Sequence, residues 1–157
     1  MLSSTLLLAH VILGFTAIVL GPVAMLSRKA PGFHPRVGEL YHAAVLGVCL
    51  SAAALAVLHW SRSWAFLPIA LGSYGFALVG YVAAKRRFRG WLRVHVIGQG
   101  GSYVAMLTAL LVVNWKALFD EPGRYSLWPW VIPTLAGAPL IAWAARRVTR
   151  TEWRAGA

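Results

Sequence analysis

The chain has 157 residues, of which 59% are hydrophobic and only 12% charged, whereas soluble domains run at roughly 45–50% apolar and about 25% charged. At this length there is too much surface per unit volume for one core to hide that apolar excess, so an ordinary soluble domain is excluded and lipid becomes the natural solvent. The formal charge of +11, from 15 Lys and Arg against four acids (Glu39, Asp120, Glu121 and Glu152), comes in short clusters between apolar runs; this is the pattern of loops flanking membrane spans, so no nucleic-acid partner is expected.

Taken in chain order, the apolar runs predict five spanning helices of the roughly 20-residue length a bilayer requires. The first covers about residues 2–26; it lacks a basic leader and is too long for a signal-peptide core, so it is read as a span. A turn rich in Pro, Gly and cations follows over Ser27–Pro35. The second span covers about 36–60, with Pro35 suited to a first helical turn. Ser61-Arg62-Ser63 links it to a third over 64–84, and a linker of five cations (Lys85, Arg86, Arg87, Arg89, Arg93) leads to a fourth over 91–115. Asp120-Glu121-Pro122-Gly123 forms the next turn, and the fifth span covers 126–145, stopping at Arg146-Arg147. Pro129, Pro133 and Pro139 interrupt this last span, which is expected as a kinked helix rather than a loop. Short connections make sequential helices antiparallel neighbours. The expected fold is therefore all-α: one compact transmembrane bundle of about five antiparallel helices.

Orientation follows from the cations. Arg28, Lys29 and Arg36, the five of the third linker, and Arg146, Arg147, Arg150 and Arg154 fall on one side, twelve in all; Arg62, Lys116 and Arg124 fall on the other. The positive-inside rule then places the C-terminus in the cytoplasm and the N-terminus outside a bacterial cytoplasmic membrane. Trp60, Trp64, Trp115, Trp128 and Trp130 gather at the outer boundary, and Trp91, Trp143 and Trp153 mark the inner one. Cys49 is alone, so no intramolecular disulfide forms, and it is read as a small buried hydrophobe.

Small residues predict close helix approach: Gly14, Ala17 and Gly21 in span one, Gly72, Gly75 and Gly80 in span three, Gly98, Gly100 and Gly101 in span four. Polar groups at membrane depth are the functional clue. His95, Gln99, Ser102 and Met106 share one face of span four, which should look into the bundle. His42 and His95 enter from the same side and lie roughly 6–9 Å below it at ~1.5 Å per residue. Such a pair makes them candidate axial ligands for haem b or a transition metal, with Gly98, Gly100, Gly101 and Gly38 leaving room for a flat macrocycle. His34, Glu39, Gln99 and Tyr103 are the candidate supporting shell. The bland alternative has these histidines capping helix ends or bonding to neighbours. His10 enters from the outer side and is expected in a cluster with Ser73, Tyr74 and Tyr103.

Three functions stay open on these residues. One is a redox or metal-binding membrane protein. Another is a non-enzymatic accessory or assembly subunit, with a membrane-protein partner or a second copy of itself. The third is a small oligomeric transporter, for which five helices without inverted symmetry are few.

Gly21-Pro22, the stretch His34-Pro35-Arg36-Val37-Gly38-Glu39-Leu40-Tyr41 and the run from Leu92 through His95, Ser102 and Tyr103 to Thr108-Ala109 resemble a family of bacterial membrane proteins grouped as domain of unknown function 2306. The likeness spans the first four helices. Here Pro35 follows His34 directly and displaces Arg36 by one position, which departs from the family's His-Arg pair. The resemblance implies the membrane fold, brings no activity with it, and directs attention to His34, Tyr41, His95, Ser102 and Tyr103.

Overall fold

A computed structural model describes the backbone over residues 2–120 and 126–155 and the side chains over residues 3–120 and 126–148. The described residues are helical with short connections and contain no strand: α1 (Leu2–Leu26), α2 (Phe33–Leu58), the single turn α3 (Trp60–Ser63), α4 (Phe66–Arg86), α5 (Trp91–Phe119) and α6 (Trp128–Ala155). Four of these, α1, α2, α4 and α5, are long and apolar enough to cross a membrane, and the chain is a multi-pass membrane protein. Hydrocarbon offers no hydrogen bonds, so each crossing segment closes its backbone on itself as a helix. In α1, Leu7, Val11, Phe15, Val19 and Val23 recur every fourth residue and all face outward, Phe15 with 69% of its surface exposed. In water that stripe would be an aggregation face. In lipid it is the solvated one.

The chain divides within α4 into two compact units, Met1–Tyr74 and Gly75–Ala157. In the first, α1 and α2 form an antiparallel hairpin: Ser3 meets His59, His10 meets Ser51, Leu13 lies over Gly47, and Ser27 meets His34. Small residues make the seam, as the sequence pattern requires. Gly14 faces Val48, and Ala17 and Gly21 are buried.

In the second unit α4 pairs antiparallel with α5, and α5 with α6. Gly80 and Gly98 cross so closely that a Cβ on Gly98 would stand 2.6 Å from both the Gly80 amide nitrogen and the Phe76 carbonyl oxygen. A Cβ on Gly80 would stand 2.9 Å from the Gln99 amide nitrogen. On the α6 side, Ile141 fills the space beside Gly100, and Val104 fills that beside Gly137. Gly72 and Gly75 were expected on the packing face of Gly80, yet a Cβ on either would meet no described atom within 4 Å. Of the three, only Gly80 is a close contact.

Several boundaries shift for local reasons. α2 begins at Phe33, before the expected Arg36, because Pro35 sits in the first turn where its missing N–H costs nothing. The 60–63 linker coils into one helical turn. α5 runs past Trp115 to Phe119, where Asp120 turns left-handed (φ 56) and returns its N–H to the Lys116 carbonyl. α6 keeps Pro133 and Pro139 within its helix and does not stop at Arg146-Arg147. No Gly or Pro occurs between Pro139 and Ala155, so nothing breaks it there. Beyond Asp120, the expected 120–123 turn and Arg124 lie outside the described residues, as do the side chains of Arg150, Trp153 and Arg154.

Gly98→Ala should destabilise the protein in detergent by about 1–3 kcal/mol, because backbone atoms cannot yield to the added methyl. Gly72→Ala should stay within about 0.5 kcal/mol of wild type, being a change in open space. Unfolding of the two purified variants under a denaturing detergent titration checks the contrast.

Candidate functional site

The polar side chains of the first unit gather along the α1–α2 seam. Ser51 Oγ lies 2.7 Å from the Gly47 carbonyl and 2.9 Å from that of Val48, and 3.0 Å from His10 Nδ1. A hydroxyl has one proton, and here it goes to a carbonyl of its own helix. The oxygen is left to accept, so His10 Nδ1 carries hydrogen and donates to it. The partner of His10 is thus a serine, not the tyrosine cluster expected from depth. Antiparallel register places residue 10 opposite residue 51, while Tyr74 meets the His42 ring, with centroids 5.7 Å apart.

At the α1 C-terminus the carbonyls left open by the last turn are satisfied from three directions. Ser27 Oγ donates to the Ala24 oxygen at 2.9 Å, and His34 Nδ1 donates to it at 3.1 Å while lying 3.0 Å from Ser27 Oγ. Lys29 Nζ reaches the Ala24 and Met25 oxygens, each at 2.7 Å. Burial draws the Lys29 ammonium below the usual lysine range. His34, expected in the shell of a ligand site, is a helix cap. Glu39 is exposed on the following turn of α2. At the other end of the hairpin His59 Nδ1 donates to the Leu55 carbonyl at 3.2 Å, and His59 Nε2 lies 3.5 Å from Ser3 Oγ.

In the second unit His95 Nδ1 donates to the Gly80 carbonyl at 2.9 Å, and Gln99 Nε2 donates to the Ala77 carbonyl at 3.0 Å. Both bonds cross from α5 to α4 beside the Gly80–Gly98 contact, which brings the two backbones within reach. A carbonyl can only accept, so His95 holds its hydrogen on Nδ1 and its lone pair on Nε2. The Trp91 ring stands beside it, centroids 6.2 Å apart. Ser102 and Met106 are buried further along the same face, as expected, and Tyr103 is half-buried.

The room expected beside His95 for a macrocycle is taken. Gly98 is closed by Gly80 and Phe76, Gly100 by Ile141 and Gly101 by the Phe76 ring. These glycines admit helices. His42 belongs to the first unit and His95 to the second. Among the described residues no three of His, Cys, Asp and Glu gather as a metal-binding group.

Sequence reasoning missed Ser51, Ser27 and Ser3 as histidine partners, although the register of a hairpin with a six-residue connection pairs residue 10 with residue 51. His10→Ala and Ser51→Ala should each cost about 0.5–1.5 kcal/mol and couple by about 0.6 kcal/mol in a double-mutant cycle, the ordinary worth of such a bond between membrane helices. His10→Ala combined with Tyr74→Phe should be additive in the same assay. Comparison of the chain with known protein families, with curated proteins and with solved structures finds no match.

Proposed function

We propose that this chain is a non-enzymatic accessory or assembly subunit of a bacterial cytoplasmic membrane, built from five antiparallel spans and related to the family of domain of unknown function 2306. The observation that carries this reading is where the intramembrane polar groups go. His10 binds Ser51 across α1 and α2, and His95 and Gln99 bind backbone carbonyls across α5 and α4. Each is used to tie one helix to the next, which is how membrane helices without a hydrophobic driving force are held together.

The fifth span is supported by register. Gly137 lies against Val104 and Ile141 against Gly100, so α6 runs back beside the membrane-deep part of α5 and brings Arg146 to the level of His95. A helix that accompanies a span through that depth crosses with it. The distribution of twelve cations against three supports an external N-terminus and a cytoplasmic C-terminus.

Haem or metal binding is the second reading, favoured by one detail. His95 donates Nδ1–H to a backbone carbonyl and keeps its lone pair on Nε2, the arrangement that orients metal-ligating histidines. The filled glycines beside it weigh against a macrocycle on that face.

Two measurements test these readings. Purified protein should show no Soret band and no stoichiometric metal, and native gels of solubilised membranes should show it in a species larger than the monomer; a coloured or metal-loaded monomer would reverse the order of the two. A reporter fused after Ala157 should be active as a cytoplasmic enzyme and silent as a periplasmic one. The opposite result would leave four crossings.

A further inference from the structure

Within the second unit α5 and α6 leave a groove of about 560 Å³, walled by Leu107, Leu110, Leu111, Asn114 and Leu118 of α5 and by Pro133 of α6. Residues 107, 111, 114 and 118 recur at the spacing of one helical face, with Leu110 beside them. Apart from Asn114, every side chain in the wall is hydrocarbon. The α5 side is also outward: Leu110, Val113, Asn114, Leu118 and Phe119 are all exposed. Because Leu118 and Phe119 lie beyond Asn114, the apolar surface continues past it along this spanning helix.

Asn114 Nδ2 donates one hydrogen to the Leu110 carbonyl at 2.8 Å, one turn back on its own helix. A primary amide carries a second N–H and an oxygen with two lone pairs. Among the described residues that N–H and that oxygen have no partner. Acyl chains offer an amide neither donor nor acceptor, and an unsatisfied polar group in hydrocarbon is costly. Turned outward from an apolar face, the Asn114 amide can be completed only by a group from outside the chain.

We propose that a second copy of this chain docks here, α5 against α5, with the two Asn114 amides hydrogen-bonded to each other across a two-fold axis. The single polar group selects the occupant. An amide is its own complement: its N–H matches the oxygen of an identical amide, so an isologous pair satisfies both copies at once. Copies inserted with the same topology run parallel, which sets the axis along the membrane normal and residue 114 opposite residue 114. Leucines on either side of the pair supply the packing, and one asparagine in such a face fixes register and strand number. Interhelical amide bonds of this kind hold membrane helices together where no hydrophobic force acts between them. The inference rests on the accessory or assembly reading and names a second copy as the partner.

Sedimentation equilibrium of the purified full chain in detergent tests this, and the unmodified chain should dimerise. Asn114→Leu keeps the face apolar and removes the amide, so it should raise the dimer dissociation constant by about 3- to 30-fold. Asn114→Gln keeps an amide and should recover most of the association. In native membranes Leu110→Cys, one turn from the paired amides, should form an intermolecular disulfide on mild oxidation. Phe15→Cys, also exposed but on α1, should not, and the unmodified chain, whose one thiol Cys49 is buried, is the blank. A purified chain that stays monomeric leaves the groove to lipid and overturns the proposal. So does an Asn114→Leu dimer as tight as the original, or a Phe15→Cys disulfide that forms as readily as that of Leu110→Cys. A large native species that holds a foreign chain and yields no Leu110→Cys disulfide overturns the second copy but leaves the accessory reading standing. A monomer in native gels removes both.

Discussion

The close crossing of α4 and α5 at Gly80 and Gly98 is the contact on which the second unit depends. Without a hydrophobic force between helices in lipid, association must come from atoms in contact and from hydrogen bonds that lipid cannot offer. The crossing supplies both. Because no side chain separates the backbones, Gln99 reaches the Ala77 carbonyl and His95 the Gly80 carbonyl. Those bonds would lengthen if the helices moved apart by the width of a methyl group.

The first unit solves the same problem differently. Its α1–α2 hairpin has a seam of small side chains, and histidine–serine contacts occur along its length: Ser3 with His59, His10 with Ser51, and Ser27 with His34. At Ser51 serine suits this role because it can return its proton to its own helix and still accept from an imidazole, whereas Ser3 faces the lone pair on His59 Nε2 and is the donor there. Only the His10 contact lies deep; the other two close the ends. Depth therefore separates a histidine that joins helices from histidines that finish them.

Spending polar groups on cohesion constrains function. A side chain committed to a helix tie is poorly placed to leave it for a substrate, and the glycines beside His95 are occupied by Phe76, Gly80 and Ile141, whereas a Cβ on Gly38 would meet no described atom within 4 Å. What remains open is on the outside. It consists of the apolar stripe of α1, the unfilled space beside Gly72, and the groove around Asn114 between α5 and α6. The proposed accessory role would act through exposed surface of this kind.

Much of this could be read from residues alone, and the reason is the solvent. Lipid imposes a length, an apolar composition and a charge asymmetry on every span, and these are one-dimensional properties that survive without coordinates. So the helical class, the first four spans to within a few residues, the seam at Gly14, Ala17 and Gly21, and the inward face of Ser102 and Met106 were legible. Partnership was not. Whether Gly80 or Gly72 is the contact, whether His10 meets Ser51 or a tyrosine, and whether Gly98 admits a cofactor or another helix all turn on differences of an ångström or two in how neighbouring helices cross. Composition and periodicity name which face of a helix turns inward. Only the tertiary arrangement decides what stands opposite it, because that depends on the register and separation of two segments at once.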